Sequence, residues 1–230
     1  MIDKTTTLDA ALAGLKDGWT VMFGGFGVPG TPFTLIDRLL ASGARDLTMI
    51  KNEANEDRLG VSKLIEAGRV KKLITSHLGL NAAAMGMMNR GEIEVEFYPQ
   101  GILAEKIRAG GAGLPGFVTD IGLDTILRDR KTLVVIDGRE LIFEPALRAD
   151  AALIHAAAGD RFGNLVYEKS ARNFNPIMAT AARLVIAEVE KLVEPGELDP
   201  DRVVTPGAFV DRVAVLDGLT PEYGILERHV

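Results

Sequence analysis

The chain has 230 residues, 47% of them hydrophobic and 25% charged, which are the proportions of a folded globular protein rather than a disordered one. It contains no cysteine, and this removes disulfide scaffolds, thiol nucleophiles and cysteine-held metal centres together. A formal net charge of −6 argues against nucleic acid or an anionic membrane as a partner.

Thr20 to Phe23 is an apolar run that ends in glycines, the pattern of a strand buried on both faces. Thr31 and Pro32 then open a helical stripe through Leu40, with apolar residues at Phe33, Leu35, Ile36, Leu39 and Leu40. Leu47 to Ile50 reads as a second strand, Asp57 to Ala67 as a helix stopped by Gly68, and Val70 to Thr75 as a third strand. A helix over Asn81 to Asn89, a strand over Ile93 to Phe97 and a helix over Ile102 to Ala109 follow. Strands separated by helices predict a mostly parallel sheet with helices on its faces, an α/β fold.

The second half changes character. GGAGLPG at Gly110 to Gly116 leads into an irregular segment through Thr125. TLVVID and RELIFE then flank Asp137-Gly138, the signal for a tight hairpin. Ala151 to Ala157 and Leu184 to Ala187 are strand candidates, and Gly163-Asn164 marks a turn before Leu165 to Tyr167. Between them, Asn175 reads as an N-cap and Pro176 as the first residue of a helix running to about Arg183. No repeat or linker divides the chain: one domain over 1–217 with a tail over 218–230 is expected. No stretch approaches the ~18 apolar residues of a membrane span and the opening MIDKTTTLDAAL has no signal-peptide core, so the expected location is cytoplasmic.

The most informative stretch is DGWTVMFGGFGVPGTP, Asp17 to Pro32. Glycines at a strand end let backbone approach a ligand closely, and amides at the following helix N-terminus favour an anion. Gly24, Gly25, Phe26, Gly27, Val28, Pro29 and Gly30 are therefore candidate binding residues for a phosphate, a carboxylate or a thioester oxygen, against the alternative of a turn that needs glycine for geometry alone. One reading of this loop is a dinucleotide site. Gly25 to Gly30 is literally G-x-G-x-x-G, and Glu53 lies where the ribose-holding acid of an NAD(P)-binding Rossmann oxidoreductase stands.

The longer pattern reads differently. Asp17-Gly18, Gly24-Gly25-Phe26, Gly30 and Pro32, at their spacing, resemble the signature of the α (A-type) chain of class I coenzyme A-transferases, the 3-oxoacid CoA-transferase family. SHLGLN at Ser76 to Asn81 and GEIEVEFYPQGILAEKIRAGGAGLPGF from Gly91 to Phe117 extend the resemblance. GNLVYEKSARNFNP at Gly163 to Pro176, EVEKLVEPGELDP at Glu188 to Pro200 and VTPGAFVDR at Val204 to Arg212 carry it on, so that it covers about residues 5 to 215. It implies a three-layer open sheet of the sugar-phosphate isomerase/CoA-transferase kind. It also implies transfer of coenzyme A, a substrate rather than a resident cofactor, from succinyl-CoA or acetyl-CoA to a short 3-oxoacid such as acetoacetate. The chemistry is covalent, through a glutamyl thioester. In the family that glutamate lies in a Ser-Glu-Asn-Gly motif of the β (B-type) subunit, and no such motif occurs here, so a separate β partner is expected, commonly as an α2β2 heterotetramer.

Gln100, just after a predicted strand, matches the family glutamine that faces the reacting carbonyl; its position alone equally suits a cap for the helix near Ile102. Asn52 and Asn81 follow predicted strands at the same sheet edge and are candidates for orienting the acyl carboxylate. Two segments depart from the family pattern and are candidates for the acyl-pocket lining. Lys51-Asn52-Glu53 stands where relatives commonly carry an asparagine pair or Asn-Asp, and Thr119-Asp120-Ile121-Gly122 replaces a Thr-Pro-Thr-Gly-type segment. His77 and His155 have no partner at metal-ligand spacing and read as satisfied or surface histidines; His229 belongs to the tail. Glu92, Glu94 and Glu96 share one strand face, exposed or at an interface, and Met85, Met87 and Met88 read as core or interface filler.

Overall fold

The computed structural model describes residues 2–228, with side chains to residue 224. His229 therefore lies outside the described residues. The chain opens with β1 (Thr5–Thr6) and α1 (Leu8–Ala11), then alternates β2 (Thr20–Phe23), α2 (Phe33–Ser42), β3 (Leu47–Ile50), α3 (Ser62–Glu66), β4 (Val70–Thr75), α4 (Ala82–Asn89), β5 (Glu94–Phe97) and α5 (Gln100–Gly111). Three strands follow, β6 (Gly116–Thr119), β7 (Thr132–Ile136) and β8 (Arg139–Pro145). The chain continues through β9 (Ala149–Asp160), β10 (Leu165–Val166), α6 (Asn175–Thr180), β11 (Ala182–Val193) and β12 (Arg212–Val215).

Nine strands form the main sheet in the order β1-β12-β11-β9-β2-β3-β4-β5, with β10 paired to β9 off that path. All pairs in the path are parallel and only β10–β9 is antiparallel. From β2 the chain winds outward through β3, β4 and β5, then returns to β9 on the other side, so β2 and β9 flank a topological switch point. Alternation along the strands feeds two cores. Val21, Phe23, Met49 and Leu73 meet α2, α3 and α4 on one face through Leu35, Leu39, Leu64 and Ala84. Met22, Ile50 and Ile74 face the opposite way, onto Ile102, Leu103 and Ile107 of α5 and Met178 of α6. Helices thus cover both sheet faces, the three-layer α/β arrangement expected.

Several boundaries differ from the sequence reading. The helix expected over Asp57 to Ala67 shrinks to Ser62–Glu66, because Arg58 and Gly60 take left-handed backbone at φ 64° and 51°. Asn175 is not an N-cap: Phe174 holds that position, Asn175 is the first helical residue, and α6 stops at Thr180. The strand candidates Ala151 to Ala157 and Leu184 to Ala187 are parts of two 12-residue strands, β9 and β11, which pair along most of their length. The Asp137-Gly138 hairpin stands as expected, with both residues at positive φ (51° and 74°) between β7 and β8. β6 emerges from the segment expected to be irregular and completes a small antiparallel sheet, β6-β8-β7.

A buried charge cluster fastens that small sheet to the main body. Lys106 Nζ of α5 lies 2.8 Å from Glu144 Oε2 of β8, and Lys131 Nζ 2.7 Å from Glu144 Oε1. Both ammonium groups sit over the Tyr98 ring, at 4.4 and 4.5 Å from its centroid. Met87 and Met88 pack against the α2–α4 core as filler, while Lys72 pairs with Glu94 and Glu96 along the edge strand.

Candidate active site

Because the strands are parallel, β2, β3, β4 and β5 deliver their following residues to one edge, and the loop 24–30, Lys51 to Glu53, Ser76-His77 and Gln100 gather there. The glycine loop is held from behind by side chains that grip its carbonyl oxygens. Asn55 Nδ2 donates to Gly27 O at 2.9 Å, Asn173 Nδ2 to Pro29 O at 2.9 Å and Asn175 Nδ2 to Gly30 O at 3.0 Å. Lys51 Nζ donates to Gly24 O at 3.3 Å and to Thr31 Oγ1 at 3.2 Å.

Packing dictates glycine at two of these positions. A Cβ on Gly24 would stand 2.6 Å from Asn175 Cγ, and one on Gly30, at φ 72°, would stand 2.6 Å from Asn175 Nδ2. The loop's own tip faces outward: Phe26 is 46% exposed.

Asn175 is the keystone behind the loop. Its side chain is fully buried; Oδ1 accepts the His155 backbone N–H at 3.1 Å, and Nδ2 also donates to Ala171 O at 2.9 Å. β2 pairs with β9 only as far as Phe23 and Leu153, so the carboxamide supplies the acceptor that a continuing strand would have offered His155.

The helix after the loop does not present its N-terminus to a ligand. The Leu35 amide in its first turn donates to Glu188 Oε2 at 2.8 Å, so the anion at this dipole is the protein's own buried carboxylate. Glu188 Oε1 lies 2.9 Å from His155 Nδ1, and Glu190 Oε1 lies 3.0 Å from Nε2. Burial alone would lower the His155 pKa, but with a carboxylate at each ring nitrogen it is pushed up to about 9. His155 is thus a satisfied core histidine, its partners reaching it from the adjacent strand β11. Tyr223, in the expected tail, packs its ring against Phe33 and His155 at centroid distances of 4.8 and 5.1 Å, and its hydroxyl donates to Thr31 O. The described part of the tail therefore docks beside the loop.

Glu53 is equally unavailable to a ribose. It is 4% exposed; Oε1 accepts from Gly27 N–H at 3.1 Å and pairs with Lys51 Nζ at 2.9 Å, and Oε2 accepts from Asn52 Nδ2 at 2.6 Å. Burial holds the Lys51 ammonium below the usual lysine range against the pull of Glu53. With the helix dipole and the acid both committed internally, the dinucleotide reading is corrected.

Of the expected site residues, Gln100 and the loop tip are open. Gln100 begins α5, is exposed, and donates from Nε2 to Asn52 Oδ1 at 2.8 Å; it makes no side-chain cap, since Pro99 is the N-cap. Asn52 and Asn81, expected to orient an acyl carboxylate, are both buried and bonded to neighbouring protein groups. Asn52 has no exposed surface, and its Oδ1 also accepts from Ser76 Oγ at 3.1 Å. Asn81 Nδ2 donates to Ser62 Oγ at 2.7 Å, Ala54 O at 3.3 Å and Asn55 O at 3.2 Å, while Oδ1 caps α4 at the Ala84 amide, 2.6 Å away. Lys51 and Glu53 are likewise buried beneath the loop rather than lining a pocket. Thr119 closes β6 on the small sheet, with Ile121 beyond it 54% exposed. His77 is half-buried beside Ser76 Oγ at 3.1 Å. Among the described residues, no helix is long and apolar enough to cross a membrane.

Comparison with known proteins places this arrangement. The family model described as Coenzyme A transferase matches residues 5–216. The chain is 47% identical to the α subunit of the acetate CoA-transferase of Escherichia coli K12 over 94% of its length and 98% of the relative's. It is 47% identical to the A-type subunit of the succinyl-CoA:3-ketoacid coenzyme A transferase of Xanthomonas campestris pv. campestris strain B100, covering 96% of this chain and 91% of the relative. Among solved structures, the acyl-CoA transferase YdiF of E. coli O157:H7, in a thioester complex with CoA, superposes with a TM-score of 0.84 at 26% identity over 94% of this chain. The chain spans about half of the YdiF polypeptide, 48%.

Proposed function

The chain belongs to the coenzyme A transferase family, and from that premise we propose that it works as the α subunit of an enzyme moving coenzyme A from succinyl-CoA or acetyl-CoA to a short 3-oxoacid such as acetoacetate. The reacting glutamate is supplied by a separate β subunit, in an α2β2 assembly. Its carboxylate attacks the thioester carbonyl and expels CoA thiolate, leaving an acyl-glutamyl anhydride. The thiolate then attacks the glutamyl carbonyl, the acyl carboxylate departs, and the second acid reverses both steps. Nothing is oxidised or reduced, and the thioester is conserved.

The observation that carries this reading is the Gln100 carboxamide, exposed at the C-terminal edge of the parallel sheet and anchored through Asn52. A neutral N–H donor stabilises the oxyanion of each tetrahedral intermediate without adding a charge that would pair with the attacking carboxylate, and loss of one such donor lowers kcat by ~10²–10³. The exposed Phe26 at the tip of the glycine loop suits a loop that the partner covers, excluding water from intermediates that hydrolyse.

Co-expression with a β-type subunit tests this, screening acetoacetate, 3-oxoadipate and butyrate against both donors. The expected result is transfer by the pair, none by the isolated chain, and at least about a tenfold lower kcat for Gln100→Ala. Full turnover by the isolated chain sinks the division of labour.

A further inference from the structure

A carboxamide has two ends of nearly equal shape and opposite hydrogen-bonding character, so a glutamine that must donate needs something to fix which end it presents. In this chain the fixing can be traced outward from one charge. Glu53 is an acceptor only, and its Oε2 lies 2.6 Å from Asn52, so the NH₂ end of Asn52 has to face it. Asn52 Oδ1 is thereby turned toward Gln100 and Ser76, at 2.8 and 3.1 Å. An oxygen at that point admits only the NH₂ end of Gln100, whose second hydrogen is left for an incoming oxygen.

We propose that Glu53, with its counter-ion Lys51, is a positioning residue that sets the direction of the Gln100 carboxamide through Asn52. The inference rests on the donor role given to Gln100 above. The same carboxylate also accepts the Gly27 amide at 3.1 Å, and Lys51 reaches Gly24 O and Thr31 Oγ1, so one buried ion pair sets both the loop and the donor. Burial makes the arrangement directional: Lys51 and Asn52 have no exposed surface and Glu53 is 4% exposed, so water cannot supply a substitute partner. A neutral glutamine at position 53 would offer either end to Asn52, and the order along the relay would be lost.

The experiment uses the complex reconstituted with the β subunit. Glu53→Gln is measured alone and together with Lys51→Met, the paired change removing both charges so that no unpaired lysine is left buried. Each is also built in a Gln100→Ala background, and melting temperatures verify folding. The expected result is a kcat about tenfold to a hundredfold lower, the scale of a charge-assisted hydrogen bond, with KM for the acyl-CoA changed far less. In the Gln100→Ala background the same changes lower kcat much less, because the share of the loss carried through Gln100 is already gone and only the hold on the loop remains. Equal losses in both backgrounds overturn the positioning role while leaving Gln100 as a donor. An unchanged kcat for Gln100→Ala itself removes that donor role, and the inference with it.

Discussion

Replacing Gly24 by alanine places a methyl carbon 2.6 Å from Asn175 Cγ, and its three nearest neighbours are all atoms of the Asn175 carboxamide. The backbone at Gly24 is outside the left-handed region, so alanine is excluded by its neighbour and not by its own torsions. The carboxamide has to leave, and with it go the bonds to the His155 amide, Gly30 O and Ala171 O. Each buried group left unpaired costs about 1–3 kcal/mol, so with three of them Gly24→Ala should destabilise by roughly 3–9 kcal/mol. Asn175→Ala loses the same three bonds and falls in the same range. Combining them should cost about as much as either alone, because the new methyl then occupies space the carboxamide has vacated; the coupling energy then equals one single loss, roughly 3 kcal/mol or more, at or above the upper end for residues in contact. At ~2–4 °C per kcal/mol for a chain of this size, each single variant should melt about 6 °C lower or more. Urea unfolding followed by the fluorescence of Trp19, the single tryptophan, with circular dichroism alongside, measures all three variants. Additive losses in the double variant would refute the idea that Gly24 is required by Asn175.

Three further expectations are independent of that cycle. His155 is raised from 6.5 to about 9, so its contribution to stability is whole below about pH 6.5 and is lost as pH rises through about 9. The melting temperature should decline across that window, and His155→Gln should flatten the decline; an equally steep slope in the variant removes His155 as its source. Glu144→Gln leaves Lys106 and Lys131 over Tyr98 without the carboxylate that pairs with both, which should cost about 3–5 kcal/mol and speed tryptic cleavage near Arg128 to Lys131. Unaltered urea midpoint and cleavage rate would show that the small sheet docks by other means. Tyr223→Phe keeps the ring against Phe33 but loses the bond to Thr31 O, so hydrogen exchange should quicken at Thr31 to Phe33 while the melting temperature moves by no more than a few degrees; no change in exchange contradicts the docking of the tail.

The strands legible in the sequence were those whose signal is local. Thr20–Phe23 and Leu47–Ile50 are short, largely buried runs, Val70–Thr75 carries two lysines before its buried Leu73 to Thr75, and the Asp137-Gly138 turn needs two positive φ values that few residue pairs accept. β1 escaped because a strand of two residues acquires its pairing across some two hundred residues of sequence, and β12 because its four residues are recognisable as a strand only once they lie between β11 and β1, which no local pattern records. The far half of β11, Glu188 to Val193, carries charges that hide a strand, although Glu188 is buried on His155 and Leu35. At the site, the resemblance led to Gln100 and the loop, and the residues after β3 were expected to line the acyl pocket because they follow a strand at the sheet edge and depart there from the family pattern. Here the glycine loop lies over that turn and buries it, and Lys51 and Glu53 bond to the loop from beneath. The Lys-Asn-Glu triplet itself was the available clue, since opposite charges flanking an amide at the end of an apolar strand suit an internal ion pair.

With its carbonyls clasped from the rear by Asn55, Asn173, Asn175 and Lys51, the loop 24–30 comes to any visitor already shaped. An acyl group settling in front of it would freeze little additional backbone motion, so tightness of binding there should vary mainly with what the opposite wall offers. Redesigning acid preference by editing the glycines would unseat their asparagine clasps before it altered the acid, and the side chain of Phe26 is the place on this loop where variety comes without that penalty.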